Sequence, residues 1–324
     1  MKNLWQLLAV ALIGCMVISC VGPSGGGGGG PDSGGEAYLV VEAHSGKVVT
    51  SRNATATRSV ASLSQVATAV VAFDWSSATG NSLAQQAIVP PDVVSIPGPN
   101  PMGLLPGDQI ALRDALYSML MGSDTAAAQT VAAFIGHELQ QRRGVYGSVS
   151  ETFVAEMNQL AGALGMSRTR FVNAHGSDGG VSTAEDMARL AIYAMRHPGM
   201  AFYTKQKSRQ IGFRRAGQSI SFRVQNTNQL VGTQGINGLK AGQTPRSGPC
   251  LLISAERKPL VEKLPDGQAR ITPRRMIVVV LNSVDREGRA LGLLNAGWAG
   301  YDQWLSYGGV ASGQPQEILS VPEL

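Results

Sequence analysis

The order of β-rich and helical segments along the chain is the feature that most limits how it can fold. Apolar runs typical of strands occur at residues 37–43, 48–52, 219–225, 250–256 and 276–282. Between the second and third of these runs, apolar residues at helical spacing dominate. Strands therefore come from both ends of the chain, and helices are inserted between them. This order predicts an α/β fold of the α+β type, with an antiparallel sheet built from both chain ends, flanking helices and an inserted all-helical lobe.

Two local patterns near the start of the domain are specific enough to predict boundaries. Residues 37–43 and 48–52 predict a β-hairpin with Gly46 in its turn. The apolar stretch that follows predicts a helix over about residues 61–75, with Ser59 as its N-cap. The strands are not separated one by one by helices, which argues against a doubly wound parallel sheet.

The N-terminal residues are typical of an export signal. Lys2 precedes an apolar run over residues 4–18, which is short for a membrane-spanning helix. The run ends in Val-Ile-Ser-Cys, which resembles the bacterial lipoprotein box and predicts a signal peptide over residues 1–19 and a lipidated Cys20. A second match ending at Cys15 would leave a very short apolar region. A plain signal peptide with an incidental cysteine is the alternative.

The remaining domain boundaries follow from composition. Residues 20–36 are rich in glycine and carry no apolar periodicity, which predicts a flexible tether after the lipidated cysteine. A single domain is expected over residues 37–308, and its last helix over about 287–304. Residues 309–324 are expected to form a C-terminal tail. A lipid and a tether would hold the domain at the periplasmic side of a bacterial membrane.

Charge and cysteine content exclude several classes of function. The net charge of +5 suits an anionic surrounding such as the cell-wall polymer, but the chain has no run of Lys and Arg interleaved with aromatic residues. Nucleic acid is therefore not an expected partner. The three cysteines do not form a disulfide framework. Cys250 lies in an apolar, strand-like run and is expected to be a buried small hydrophobic residue.

Four short motifs occur in a fixed order along the predicted domain. They are Ser62-Leu63-Ser64-Gln65, Met121-Gly122-Ser123-Asp124, FVNAHGSDGGVSTAEDMA at 171–188, and Gly238-Leu239-Lys240-Ala241-Gly242. Together they resemble the serine D-alanyl-D-alanine carboxypeptidases, the low-molecular-weight penicillin-binding proteins with the β-lactamase/transpeptidase-like fold. The resemblance covers about residues 37–306. It implies that the chain contacts peptidoglycan stem peptides ending in D-Ala-D-Ala, and β-lactams, without a metal or cofactor.

The first motif of that family is Ser-x-x-Lys, which places a nucleophile and a proton acceptor one helical turn apart. Ser62 matches the nucleophile. Gln65 occupies the position of the base, and a neutral amide does not accept the proton of a hydroxyl. The resemblance therefore implies a nucleophile without its usual base.

The second and third motifs also depart from the family pattern. Met121 and Ser123 stand where Ser-x-Asn is expected to relay protons and position the substrate. In the third motif, Lys-Thr-Gly, Lys240 and Gly242 match the substrate-binding residues, and Ala241 replaces the threonine. The family assigns to this lysine the attraction of the substrate carboxylate, and to the strand backbone part of an oxyanion hole.

Three functions follow from this combination of retained and lost residues. The first is a degenerate carboxypeptidase that keeps the stem-peptide cleft with little or no hydrolysis. The second is an active carboxypeptidase that works through a Ser62 acyl-enzyme. The third is a protein that binds or hydrolyses β-lactams. His175, within the third of the four stretches, is expected to be a structural hydrogen-bonding residue rather than a replacement base.

Overall fold

The computed structural model describes residues 35–177, 179–314 and 316–324. The predicted signal peptide, Cys20 and most of the predicted tether lie outside the described residues. Within the described part of the chain, none of the helices combines the length and the apolar character needed to cross a membrane.

Strands occur toward both ends of the chain with helices between them, as predicted, but two further short strands interrupt the helical region. The strands are β1 (Ala37–Glu42), β2 (Val48–Arg52), β3 (Gln86–Ile88), β4 (Gln109–Ala111), β5 (Ser208–Arg215), β6 (Gln218–Gln225), β7 (Ile236–Thr244), β8 (Gly248–Lys263) and β9 (Ala269–Leu281). The α-helices are α1 (Gln65–Thr79), α2 (Leu112–Gly122), α3 (Thr125–Arg143), α4 (Val149–Ala163), α5 (Ala184–Arg196), α6 (Pro198–Thr204) and α7 (Arg286–Ser306).

The main sheet has five strands in the order β2-β1-β9-β8-β7, and every neighbouring pair is antiparallel. Strand β1 pairs with β9 in unbroken register from Ala37 opposite Leu281 to Glu42 opposite Met276. The prediction of an antiparallel sheet made from both chain ends is confirmed. The hairpin prediction is also confirmed, with Gly46 at a φ of 71° in its turn.

A second antiparallel sheet, β3-β4-β5-β6, was not predicted. The expectation of a single sheet is therefore wrong for the run at 219–225, which is β6 of this second sheet. Its strands β3 and β4 have three residues each, which is too short to show a period of two in the sequence. Their pairing is visible only in the folded chain, where β4 adds to the edge of β5.

Both faces of the main sheet are buried, and this explains the continuous apolar run at its centre. In β9, Ile277, Val279 and Leu281 pack toward the helical lobe. The alternate residues Met276, Val278 and Val280 pack on the other face with α7, whose largest buried residue is Trp298. A strand covered on both faces reads as apolar at every position rather than alternating.

Helix α1 enters the core through a 3-10 turn, Ala61–Ser64, rather than through a side-chain cap. The prediction that Ser59 is the N-cap is wrong, because the capping position is Val60 and no side chain caps the turn. Residues 61–73 are buried throughout, so the first turns of this helix are surrounded by the lobe and the sheet. A helix covered on all sides carries no amphipathic pattern from which its start could be read.

Helices α3 and α4 approach each other closely at Gly136, and this contact can be tested by mutation. A Cβ atom at Gly136 would overlap the carbonyl oxygen of Val149. We expect Gly136→Ala to lower the free energy of unfolding by about 1–3 kcal/mol, because the helices must separate. Gly162→Ala is the matched control, since a Cβ there meets nothing within 4 Å. We expect it to raise stability by about 0.5–1 kcal/mol through its helix propensity. Urea unfolding measures both, and equal effects would contradict the close contact.

Candidate active site

Ser62 lies in the 3-10 turn that begins the central helix, directly against the edge strand β7. The residue is only 6% exposed. A Cβ atom placed on Gly242 of β7 would lie 2.9 Å from the Ser62 backbone nitrogen and 3.3 Å from that of Leu63. Only glycine, which has no Cβ atom, lets β7 approach the Ser62 turn this closely. No hydrogen bond to the Ser62 hydroxyl comes from the described residues.

Gln65 follows one turn later and is fully buried. Its Nε2 donates a hydrogen bond of 3.0 Å to the backbone carbonyl of His175. Its Oε1 is buried and has no hydrogen-bond partner among the described residues. The side chain at the base position is thus directed to a backbone carbonyl and offers only an amide oxygen, which is a very weak base.

The loop that contains His175 packs onto the turn that carries Ser62. A Cβ on Gly176, whose φ is 74°, would overlap both the Ala61 carbonyl oxygen and the Ser64 Oγ. The Nδ1 of His175 shares a 2.6 Å hydrogen bond with the Ser177 Oγ. Burial lowers the pKa of His175 to about 4, so the imidazole is neutral at neutral pH. These contacts fit the structural role expected for His175.

The second motif ends helix α2 and begins α3. Ser123 takes a left-handed conformation, with a φ of 60°, and is 7% exposed. Asp124 caps α3 by accepting hydrogen bonds from the Ala127 nitrogen at 3.0 Å and the Ser118 hydroxyl at 2.7 Å. The side chain of Met121 is fully buried in the core of the helical lobe. The side chain at position 121 is therefore apolar and part of the core, and it carries no hydroxyl.

Lys240 is fully buried, which is unusual for a lysine. Its Nζ donates a 2.7 Å hydrogen bond to the carbonyl of the adjacent Ala241. Burial, and then the nearby positive charge of Arg286, lower its pKa to about 7. The amine is therefore divided between its charged and neutral forms at neutral pH, and a small change in its surroundings can select either form.

Strand register places the three residues of the third motif on two different faces of the sheet. Lys240 pairs with Leu252 and therefore shares the face that packs toward the helical lobe and Ser62. Gly242 lies on the same face, as its contact with Ser62 also requires. Ala241 belongs to the cluster under α7, so the lost threonine lies on the opposite side of the strand.

The structure thus brings Ser62, Gln65 and Gly242 together around one turn and places Lys240 on the adjoining strand face. Ser123 lies at the end of α2, in the helical lobe. Sequence reasoning missed Arg286, whose Nη1 donates to the Gly242 carbonyl at 3.1 Å. A single arginine at the start of a helix belongs to no recognisable motif, so only the fold reveals its position behind the strand.

Comparison with protein-family models and curated proteins gives one consistent result. The model described as D-alanyl-D-alanine carboxypeptidase, peptidase S11, matches residues 29–261. A D-alanyl-D-alanine endopeptidase of Pseudomonas aeruginosa is 31% identical over 265 residues, covering 78% of each chain. The D-alanyl-D-alanine carboxypeptidase DacC of Escherichia coli is 29% identical over 234 residues. That match covers 69% of this chain and 54% of DacC, so the chain spans about half the length of that relative.

Solved structures agree on the fold. The Streptomyces K15 DD-transpeptidase superposes with a TM-score of 0.67 at 23% identity, over 81% of this chain and 96% of that one. Penicillin-binding protein D2 of Listeria monocytogenes, in its cefotaxime-bound form, gives a TM-score of 0.62 at 26% identity. That match covers 81% of this chain and 96% of the Listeria chain. The predicted α+β architecture is confirmed by both.

Proposed function

The chain belongs to the serine-type D-alanyl-D-alanine carboxypeptidase family of cell-wall hydrolases, and on this premise we propose that it binds stem peptides more effectively than it cleaves them. The ligand is a peptidoglycan stem peptide ending in D-Ala-D-Ala, held in the cleft between the Ser62 turn and strand β7. Hydrolysis is slow or absent. The protein acts in the bacterial cell envelope.

The burial and hydrogen bonding of Gln65 carry this proposal. Attack by a hydroxyl requires a group that takes its proton, and general acid–base catalysis contributes about 10²–10⁴ in rate. Removing one member of a nucleophile–base unit can cost up to about 10⁶ when the unit acts as a whole. The amide of Gln65 is anchored to the His175 carbonyl at 3.0 Å and gives Ser62 no such acceptor. Met121 removes a second proton route at the neighbouring motif.

The retained residues support binding. Gly242 packs on the backbone nitrogen of Ser62, which brings the Ser62 turn directly against β7. Lys240 holds one backbone carbonyl, and a peptide carboxylate could replace that acceptor if the side chain turned into the cleft. A carboxylate would also favour the charged form of the lysine and so raise its pKa. These features provide recognition without requiring a working base.

Intact-mass analysis and D-alanine release test this proposal together. We expect the wild-type protein to release D-alanine from a synthetic pentapeptide at least about 10²-fold more slowly than DacC under the same conditions. We expect a penicillin to give little covalent mass gain, and Ser62→Ala to remove any that occurs. Gln65→Lys should not restore full activity, because Met121 still interrupts the second motif. Rapid D-alanine release by the unmodified protein would overturn the proposal.

A second candidate function, an active carboxypeptidase with a Ser62 acyl-enzyme, is favoured by one observation. The pKa of Lys240 is lowered to about 7, and the residue lies on the strand face that carries Gly242 against Ser62. Its neutral amine is a competent base, so it could take the proton that Gln65 cannot. Acylation by a β-lactam would use the same nucleophile and the same base.

The two candidate functions predict opposite responses to pH, one for pentapeptide affinity and one for the rate of penicillin acylation. If charged Lys240 holds the substrate carboxylate, pentapeptide affinity falls as the pH rises through about 7, because the cation is lost. If neutral Lys240 is the base, penicillin acylation instead rises about tenfold between about pH 6 and pH 8. We expect the falling affinity, measured by calorimetry, and we expect Lys240→Arg to bind without this pH dependence. A rising acylation rate, lost in Lys240→Arg, would favour the active enzyme.

The N-terminal assignments are part of the same proposal. We propose that residues 1–19 are a signal peptide, that Cys20 carries lipid, and that residues 20–36 tether a domain over 37–308 to the membrane. The family to which the chain belongs consists of cell-wall enzymes, which supports an envelope location. Residues 309–324 follow the domain as a tail, in which Leu319 packs against the turn of the β1–β2 hairpin.

Lipid attachment predicts a specific fractionation result. We expect the full chain, expressed in a bacterial host, to incorporate labelled palmitate and to sediment with membranes. Cys20→Ser should abolish both, and Cys15→Ser should leave both unchanged. Labelling that survives Cys20→Ser would contradict the assignment.

A further inference from the structure

A groove outside the candidate cleft lies where β4 ends and α2 begins, beside β5. Its cavity volume is about 750 Å³, within the roughly 300–1,000 Å³ of sites that bind small molecules and short polymers. The β5–β6 hairpin forms one side. The first turns of α2 and the end of α6 form the other. We call it the β5–α2 groove.

Aromatic rings and polar amide or hydroxyl side chains line the groove. Phe202 of α6 is 52% exposed at the rim, and the buried rings of Tyr117 and Tyr203 lie behind it with centroids 4.4 Å apart. Exposed amide and hydroxyl side chains line the groove: Gln86, Gln109, Gln210, Ser219 and Ser221. Of these, Gln210 donates a hydrogen bond to the Ser221 hydroxyl. Such groups both donate and accept hydrogen bonds, which is what hydroxyl and acetamido groups of a sugar require. An exposed ring provides an apolar face on which a sugar ring can stack.

The charges in the groove favour an anionic ligand. Arg113, Arg209 and Arg214 line it, and Asp114 is the only acidic residue among its described lining residues. Arg209 lies over the Tyr117 ring, 4.9 Å from its centroid, and a guanidinium group stacked in this way can still donate from its edge. The side chain of Arg113 is 59% exposed and forms a 3.8 Å salt bridge with Asp114. The guanidinium groups outnumber the carboxylate, so the groove carries a net positive charge.

We propose that the β5–α2 groove binds glycan strands of the cell wall whose N-acetylmuramic acid units carry free carboxylates. Such carboxylates are exposed when the amide bond to the stem peptide has been cleaved. The arginines pair with these carboxylates, and Phe202 stacks on a sugar ring. The choice of the wall polymer among anionic saccharides rests on the proposed cell-wall function.

Helix α2 connects this groove to the candidate cleft. Arg113 lies in its first turn and Ser123 at its C-terminal end, about ten residues further along. At 1.5 Å per residue this is about 15 Å along the helix axis. A glycan strand in the groove would hold the protein on the polymer while the cleft remained available for a stem peptide on a neighbouring unit.

Soluble glycan strands prepared with an N-acetylmuramoyl-L-alanine amidase provide the test, since they carry the free carboxylates and no stem peptide. We expect the protein to bind them in calorimetry, and to bind neutral N-acetylglucosamine oligomers about tenfold more weakly. Phe202→Ala should weaken binding to the strands about tenfold. Tyr146→Ala, which removes an exposed ring elsewhere, should change it by less than about twofold, as expected of a surface substitution.

Two double variants that each remove two positive charges distinguish a specific binding site from general electrostatic attraction of the anionic strands. Arg113→Gln with Arg214→Gln should weaken binding of the strands at least about tenfold. Arg52→Gln with Arg142→Gln removes the same number of charges from exposed positions elsewhere and should have little effect. Equal losses in both double variants, equal binding of the neutral oligomers, or no binding by the wild type would each overturn the inference.

Pentapeptide binding, measured on the same proteins, distinguishes this inference from the proposed function. The groove variants should bind the pentapeptide as the wild type does, because they leave the Ser62 turn and β7 unchanged. Loss of pentapeptide binding by the wild type, with strands still bound, would overturn the proposed function and support the groove.

Discussion

The antiparallel pairing of β1 with β9 is the interaction on which the rest of the molecule depends. It joins the two ends of the domain, and β9 then positions β8 and β7 in succession. Because β9 is covered on both faces, the helical lobe and α7 pack against opposite sides of one strand. The edge strand β7 is fixed by this chain of pairings, and only then can Gly242 meet the turn that carries Ser62. The candidate site is therefore a product of contacts distant in sequence.

The candidate site combines residues that match the family motifs with residues that depart from them. Gly242 of β7 packs against the backbone of the turn that carries Ser62. The amide of Gln65 is used to anchor the His175 loop, and Met121 is part of the core. Both side chains thus have structural contacts in the folded chain. The titratable group that β7 still carries is Lys240, whose burial lowers its pKa to about 7.

The spacing of apolar residues predicts the longer helices and strands, because elements of that length show in their sequence which faces are buried. Apolar spacing predicts a helical region between the second and third β-rich runs, the hairpin, and strands β6, β8 and β9. Strands β3 and β4 have three residues each, which is too short to show a period, and Ser59 does not cap the turn that precedes α1. The helix start is covered by β7 and the His175 loop, and this tertiary contact replaces local capping. Arg286 was missed because its role depends on a strand carbonyl, that of Gly242, which lies 44 residues earlier in the chain.

What the amino-acid sequence determined by itself was the family, the α+β order of elements, and the identity of the residues at each motif position. Those properties depend on local periodicity and on short spacings within one segment. The tertiary structure alone decided that Lys240 is enclosed, that Gln65 turns to a backbone carbonyl, and that Ala241 faces α7. Burial and strand register are set by neighbours far along the chain, and they fix which side chains can meet and how readily each holds its proton.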